Sequence, residues 1–177
     1  IGKQIKQIES LVNEFSDFAR MPKPILKDNN LVTIISDNIN LLKALDENIT
    51  LNFNPINNSV FFKSDSEQIS RVIFNLIKNS IESIQEKKQN ILNYKGKIEI
   101  ELNNNDICIE LMIKDNGIGF GLIKDNIKNI VNPYFTTKKT GTGLGLAIVN
   151  KIINDHQGIL DFKSLENGAQ IQIKFNK

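Results

Sequence analysis

An α+β sandwich is the architecture expected of this chain, on three observations. Residues 97–102 and 107–113, and again 159–163 and 169–175, alternate apolar and polar side chains across short connections at Asn103–Asp106 and Asn167-Gly168. Alternation closed by turn residues is the pattern of antiparallel hairpins. Three other segments, 31–46, 65–87 and 143–155, repeat apolar residues at helical spacing. Helices and strands also follow one another without the regular βαβ alternation of a parallel sheet.

The elements read as follows in chain order. Ile1, Ile5, Ile8, Val12, Phe15 and Ala19 are spaced 4, 3, 4, 3, 4, a heptad seam. Two readings stay open: an amphipathic helix packed on its own domain, or one arm of a helical bundle or coiled coil. Met21-Pro22-Lys23-Pro24 ends this helix, because proline removes a donor and restricts the residue before it. The best domain boundary falls there, dividing 1–23 from 24–177. Since Ile1 falls in mid-helix, the chain is expected to be a piece of a longer one. In 31–46, Ile34, Ile35, Ile39, Leu42 and Leu45 share a face. Residues 49–53 and 60–62 read as short strands. Ser64, three before Glu67, forms a capping-box start for a helix running to about Lys87. Its face Ile69, Val72, Ile73, Leu76, Ile77 and Ile84 supplies core. After residue 113 comes a Gly- and Asn-rich stretch of about thirty residues; loops that long in compact domains are usually functional.

Composition narrows the class. Of 177 residues, 40% are apolar and 24% charged, as in a globular domain. The net charge of +2 gives no case for nucleic-acid binding, which calls for a basic stripe. Cys108 is the only cysteine, so there is no disulfide framework or cysteine zinc cluster. A reducing, cytoplasmic compartment is the simplest expectation. No apolar run approaches the roughly 18–20 residues that span a bilayer, and no signal peptide is recognisable.

Four local patterns carry chemistry. Asn75 and Asn79, four apart in the helix 65–87, project amides from one face. They are either solvated or, as hard neutral donors, suited to Mg²⁺ that leans on phosphates. Asp115-Asn116-Gly117-Ile118-Gly119 follows a strand directly. It is either a tight turn with a solvated acid, or an acceptor for the exocyclic amine of adenine with glycines that let the backbone approach a ligand. Tyr134-Phe135-Thr136-Thr137-Lys138 ends in a lysine suited to phosphate as a point charge. Gly141-Thr142-Gly143-Leu144-Gly145 opens a helix, where backbone N–H groups and the dipole favour an anion. It is neither a P-loop nor a dinucleotide fingerprint, since spacing and preceding element both differ.

In this order, the motifs make residues 59–177 resemble the GHKL (Bergerat) ATP-binding fold of histidine kinases, Hsp90-type chaperones and MutL-type repair proteins. The N box resembles Asn75–Asn79, the G1 box Asp115–Gly119, the F box Pro133–Lys138 and the G2 box Gly141–Gly145. FTTKKTGTGLGLAIV (135–149) narrows the resemblance to histidine kinases. EFSDFARMPKP (14–24) is similar to nitrogen-regulation sensor kinases of the NtrY and NtrB type, where it ends the second helix of a dimerisation hairpin.

The resemblance implies a two-layer sandwich with a mixed, mostly antiparallel sheet and helices on one face, preceded by the heptad helix. It implies ATP and Mg²⁺ as cofactors and transfer of the γ-phosphoryl group to a histidine. Asp115 would bind the adenine amine. Gly117, Ile118 and Gly119 would shape the pocket and hinge a lid over roughly 120–142. Thr137, Lys138 and the backbone of Gly141, Thr142, Gly143, Leu144 and Gly145 would hold phosphates. Asn79, with Asn75, would hold Mg²⁺. The implied partners are the chain's own hairpin, a second protomer and a response regulator, with the parent protein anchored in the inner membrane. No nucleic-acid partner and no membrane segment within residues 1–177 are implied.

Some positions depart from the pattern. Many kinases carry a basic residue three places after the second N-box amide and an aromatic one next; here these are Glu82 and Ser83. They count among the cofactor-contacting positions but leave the adenine's stacking partner and one phosphate contact unassigned. Ala169-Gln170 stands where a small hydroxyl residue is usual. The only histidine, His156, follows the helix opened by the G2 box. It is expected to be structural, so the phosphoacceptor would precede Ile1 and the chain could not autophosphorylate in the usual way. Two alternatives remain. Other GHKL ATPases place a glutamate, as base for water, where Asn75 stands, and an amide cannot take a proton. A non-catalytic nucleotide-binding module would show ruined motifs.

Overall fold

The computed structural model describes residues 2–138 and 141–177. Ile1 of the heptad seam, and Lys139 and Thr140 of the expected lid, lie outside them. Helix α1 (Gly2–Ala19) is followed by β1 (Lys27–Asn30), α2 (Leu31–Leu42) with a 3-10 turn at Lys43–Leu45, β2 (Ile49–Phe53) and β3 (Phe61–Ser64). Then come α3 (Ser66–Lys88), β4 (Gly96–Asn104), β5 (Cys108–Asp115), a 3-10 stretch over Gly121–Val131, α4 (Gly145–Asp155), β6 (Gly158–Ser164) and β7 (Ala169–Asn176).

Five strands form one sheet in the order β2-β4-β5-β7-β6, and β1 pairs with β3 in a separate ribbon. β2 runs parallel to β4, with Ile49 opposite Gly96, while β4–β5, β5–β7 and β6–β7 are antiparallel. The single parallel pair is possible because α3 lies in the connection between β2 and β4 and supplies the crossover.

Alternation along the strands decides which face is covered. Ile98, Ile100, Leu102, Ile109, Leu111, Ile113, Ile171, Ile173 and Phe175 are buried, and form one core with α2, α3 and α4. The opposite face carries Lys97–Glu99 at 2.7 Å, Lys114–Glu101 at 3.1 Å and Lys174–Glu110 at 4.0 Å. Such exposed pairs stabilise little; they keep that face wet. The sandwich therefore has two layers, as expected.

α3 is the central helix. Val72, Leu76, Ile77 and Ile84 are all but inaccessible, and each such side chain stabilises by about 1.5–3 kcal/mol on burial. Its N-cap is Asp65, whose Oδ1 accepts from Glu67 N and Gln68 N, both at 3.1 Å. This corrects the expected Ser64 cap: Ser64 ends β3, and its hydroxyl donates to Phe62 O at 3.2 Å. Strand β3 accordingly covers 61–64 instead of 60–62. Burial raises the Asp65 carboxyl, but the N–H groups of Ile25, Gln68 and Glu67 and the proximity of His156 hold it below the ordinary value.

Three further expectations are adjusted. Leu45 is exposed, because the 3-10 turn rotates it off the α2 face that buries Ile35, Ile39 and Leu42. α4 begins at Gly145 instead of 143. β1, with the sequence KDNN, has no apolar alternation and gave no strand signal.

His156 is structural. Its Nε2 accepts from Asp65 N at 3.0 Å, and Nδ1–H donates to Ile152 O at 2.8 Å. The ring ties the end of α4 to the start of α3. The heptad seam faces away from the core: Ile5, Ile8, Val12 and Phe15 are 48–61% exposed. Instead Phe18 and Met21 pack on the domain, Asp17 pairs with Arg71 at 3.2 Å, and Gln68 Nε2 donates to Pro22 O at 3.1 Å.

Candidate nucleotide-binding site

One face of α3 organises the site. It bears Asn75, Asn79, Ser80, Glu82 and Ser83: Ser80 and Ser83 meet the turn after β5, Asn79 and Glu82 meet Lys138, and Asn75 meets the start of α4. At a rise of about 1.5 Å per residue, Asn75 and Ser83 lie about 12 Å apart along the axis.

At the Ser83 end sits the turn after β5. Asp115 is 7% exposed; Oδ2 accepts from Ser80 Oγ at 3.1 Å and Oδ1 from Gly117 N at 2.9 Å. Burial pushes its carboxyl above the ordinary value, against the lowering effect of the Gly117 N–H, the Ser80 hydroxyl, the Ala169 N–H and the Lys87 charge. A buried acceptor with a raised pKa is a functional signal. Ile118 N donates to Ser83 Oγ at 3.1 Å. A Cβ on Gly117 would lie 2.2 Å from that oxygen, so glycine is required for the turn to seat on α3. Ser83 is thus an anchor for the turn.

Sequence reasoning missed four supports of this turn. Lys87 Nζ donates to Asn116 O and Gly117 O, both at 2.9 Å, and lies 4.9 Å from the Tyr94 ring centroid. The Tyr94 hydroxyl donates to Asn116 O. Asn116 Oδ1 accepts from Lys97 N at 2.8 Å and Nδ2 donates to Lys95 O at 2.9 Å, splicing the turn to the start of β4. Gly168 has φ +100°, and a Cβ there would sit 1.9 Å from Asp115 O. Only Asn167-Gly168 had a signal, and that signal indicated a hairpin. Its second role depends on where the hairpin lands.

At the Asn75 end, the amide Nδ2 donates back to Arg71 O at 2.9 Å. Its Oδ1 lies 3.5 Å from where a Gly145 Cβ would stand, at the first residue of α4. The cap position, Leu144, is buried and brings no side-chain acceptor to the first turn. That leaves the turn's N–H groups and its dipole to favour an anion. Two G2 donors are already engaged: Gly141 N with Lys138 O at 3.4 Å, and Leu144 N with Thr142 Oγ1 at 3.3 Å. The Thr142 hydroxyl donates to the Glu14 carboxylate of α1. Gly143, at φ +71°, packs on the Tyr134 backbone, and Tyr134 N donates to Gly143 O at 3.0 Å. The F and G2 segments therefore brace each other.

Between these ends, Lys138 Nζ donates to Asn79 Oδ1 at 3.2 Å and forms an ion pair with Glu82. Thr137 is exposed beside it. Amide and carboxylate oxygens already hold a cation here, which is the donor chemistry a hard divalent ion needs. The structure brings together Asp115 with Gly117, Ser83 with Ile118, Asn79 and Glu82 with Lys138, and Asn75 with Gly145. Thr142 and Leu144 turn their side chains elsewhere.

Residues 64–177 match the family model described as histidine kinase-, DNA gyrase B- and HSP90-like ATPase. A putative NtrY-like sensor histidine kinase of Rickettsia felis is 36% identical over 177 residues, covering 99% of this chain and 28% of that protein. The nitrogen regulation protein NtrY of Azorhizobium caulinodans is 30% identical over 176 residues, covering 98% and 22%. The chain thus spans less than a third of the length of these NtrY-type relatives. Among solved structures, the catalytic domain of histidine kinase ThkA superposes with a TM-score of 0.74 at 28% identity, covering 86% of this chain and 96% of that one. ThkA in complex with the response regulator TrrA gives 0.78 at 23% identity, covering 99% and 49%. No helix among the described residues is long and apolar enough to cross a membrane. The chain belongs to the histidine kinase-, DNA gyrase B- and HSP90-like ATPase family, as a histidine-kinase ATP-binding domain of the NtrY type.

Proposed function

We propose that this domain binds ATP with Mg²⁺ and transfers the γ-phosphoryl group to a histidine on a helical hairpin outside residues 1–177. The observation that carries this reading is the convergence on α3. The adenine acceptor Asp115 docks through Ser80, and the phosphate and metal groups Lys138, Asn79 and Gly145 gather along the same helix between Asn75 and Glu82. Asp115 accepts the adenine amine. Lys138 and the first-turn N–H groups of α4 hold phosphate oxygens. Asn79 and Asn75 hold Mg²⁺, which neutralises phosphate charge when bound. Phosphoryl transfer relies on positioning and charge neutralisation more than on covalent help, and these groups supply both.

α1 is assigned as the second helix of the dimerisation hairpin, with 24–177 as the catalytic domain. Its outward seam, Ile5, Ile8, Val12 and Phe15, supports this, since an apolar stripe turned from its own core needs another helix. A second protomer and a response regulator complete the set of partners, the latter by likeness to ThkA with TrrA. On this reading the parent protein is anchored in the inner membrane, with this domain on the cytoplasmic side. The test supplies a separate histidine-bearing hairpin and labelled ATP. Label is expected on the hairpin histidine; ATP bound without any transfer would refute the kinase assignment.

A further inference from the structure

We propose that Glu82 makes nucleotide capture depend on a divalent cation, by parking the Lys138 ammonium at the cation position until a cation-bearing nucleotide replaces it. This rests on the nucleotide-site reading above and concerns what that site selects.

Asn79 and Glu82 are three residues apart on α3 and share a face. Lys138 Nζ sits between them, 3.2 Å from Asn79 Oδ1 and ion-paired to Glu82 Oε2. Lys78 Nζ reaches the other Glu82 oxygen at 3.9 Å. The Lys138 and Glu82 side chains are 35% and 37% exposed, so solvent weakens the pair without removing it. The same ammonium is the one assigned to phosphate. It therefore has two competing anions, a fixed carboxylate and the incoming nucleotide.

The outcome depends on what accompanies the nucleotide. Metal-free ATP brings only negative charge. Drawing Lys138 away leaves the Glu82 carboxylate beside phosphates with only Lys78, 3.9 Å off, as a partner, and like charges repel there. With a divalent cation on the phosphates, Asn79 Oδ1 and the Glu82 carboxylate present hard oxygen donors to it, and Lys138 is free to swing onto phosphate oxygens. One cation replaces another, and Glu82 stays neutralised in both states. A basic residue at position 82 would do the opposite, attracting phosphate whether or not metal is present.

The experiment measures ATP affinity of the 177-residue chain by calorimetry, in Mg²⁺ and in chelator. Wild type, Glu82→Gln and Glu82→Lys are compared. Wild type is expected to bind far better with Mg²⁺. Glu82→Gln should shrink the Mg²⁺-to-chelator affinity ratio about tenfold, the order expected for removing one partly exposed charge about 6 Å from phosphate at an effective dielectric of about 40, between the surface and bulk-water values. Most of that change should be tighter metal-free binding, and Glu82→Lys should shrink the ratio further. Circular dichroism checks folding, and Glu82→Ala replaces any variant that fails it. Equal ratios in wild type and variants would overturn the inference while leaving the nucleotide site intact. Absence of ATP binding by wild type in either buffer would overturn both.

Discussion

Gly168 is the sharpest test of how the site is held. It lies in the β6–β7 hairpin, outside every nucleotide motif, yet its Cα faces the backbone of Asp115. A methyl group there would stand 1.9 Å from Asp115 O, 2.7 Å from its carbonyl carbon and 2.8 Å from Asn116 Cα. The first distance is about 1.5 Å short of ordinary contact, and the obstacle is backbone, which cannot rotate aside. The φ of +100° adds its own cost for any L side chain, about 1–3 kcal/mol. Overpacking adds about 1–3 kcal/mol more. Gly168→Ala should therefore lose roughly 2–6 kcal/mol, a large share of the 5–15 kcal/mol that holds a domain.

Gly121→Ala is the control. Gly121 also has positive φ, +43°, but nothing lies within 4 Å of its Cβ position. It should lose only the backbone part, about 1–2 kcal/mol. Urea melts give both stabilities, and ATP titration gives the effect on Asp115. Gly168→Ala should weaken ATP binding at least tenfold, because the hairpin must retreat and release the G1 turn. The reasoning fails if Gly168→Ala costs no more than Gly121→Ala, or if it melts early while binding ATP as wild type does.

Two further outcomes follow from the same turn. Because burial raises the Asp115 carboxyl, the folded state binds its proton more tightly than the unfolded state. Its contribution to stability is then full below the ordinary carboxylate range and lost as pH rises through the raised folded value. Asp115→Asn should remove that decline, melt no lower than wild type at neutral pH, and lose ATP binding, because the amide keeps its one oxygen for Gly117 N and turns an NH2 donor towards the adenine amine. A neutral-pH destabilisation with ATP binding retained would contradict this. Lys87→Met removes two charge-assisted hydrogen bonds, to Asn116 O and Gly117 O. It should cost about 1–3 kcal/mol in urea melts and weaken ATP binding; unchanged values in both would show that the turn holds without it.

Much of the protein could be read from local chemistry. Period-2 alternation gave both hairpins, and period-3.6 spacing gave the buried face of α3, because covering one face of an element imposes its own repeat. The order Asn75–Asn79, Asp115–Gly119, Lys138, Gly141–Gly145 pointed to the nucleotide site proposed above, because close approach to phosphates and a purine demands glycines, amides and an acid at set spacings. What stayed hidden depends on long-range placement. β1 exists only because β3 lies beside it, with Asn29 opposite Phe62. Asp65 took the cap from Ser64 because Ser64 is the last residue of β3, and its hydroxyl was already engaged within that strand. Gly168, Lys87 and Tyr94 touch the G1 turn from separate elements, and no sequence spacing encodes that meeting. Glu82 looked like a lost phosphate contact in the sequence; folding pairs it with Lys138 from 56 residues away. Periodicity and motif order are properties of the chain, whereas which cation meets which carboxylate is settled by packing.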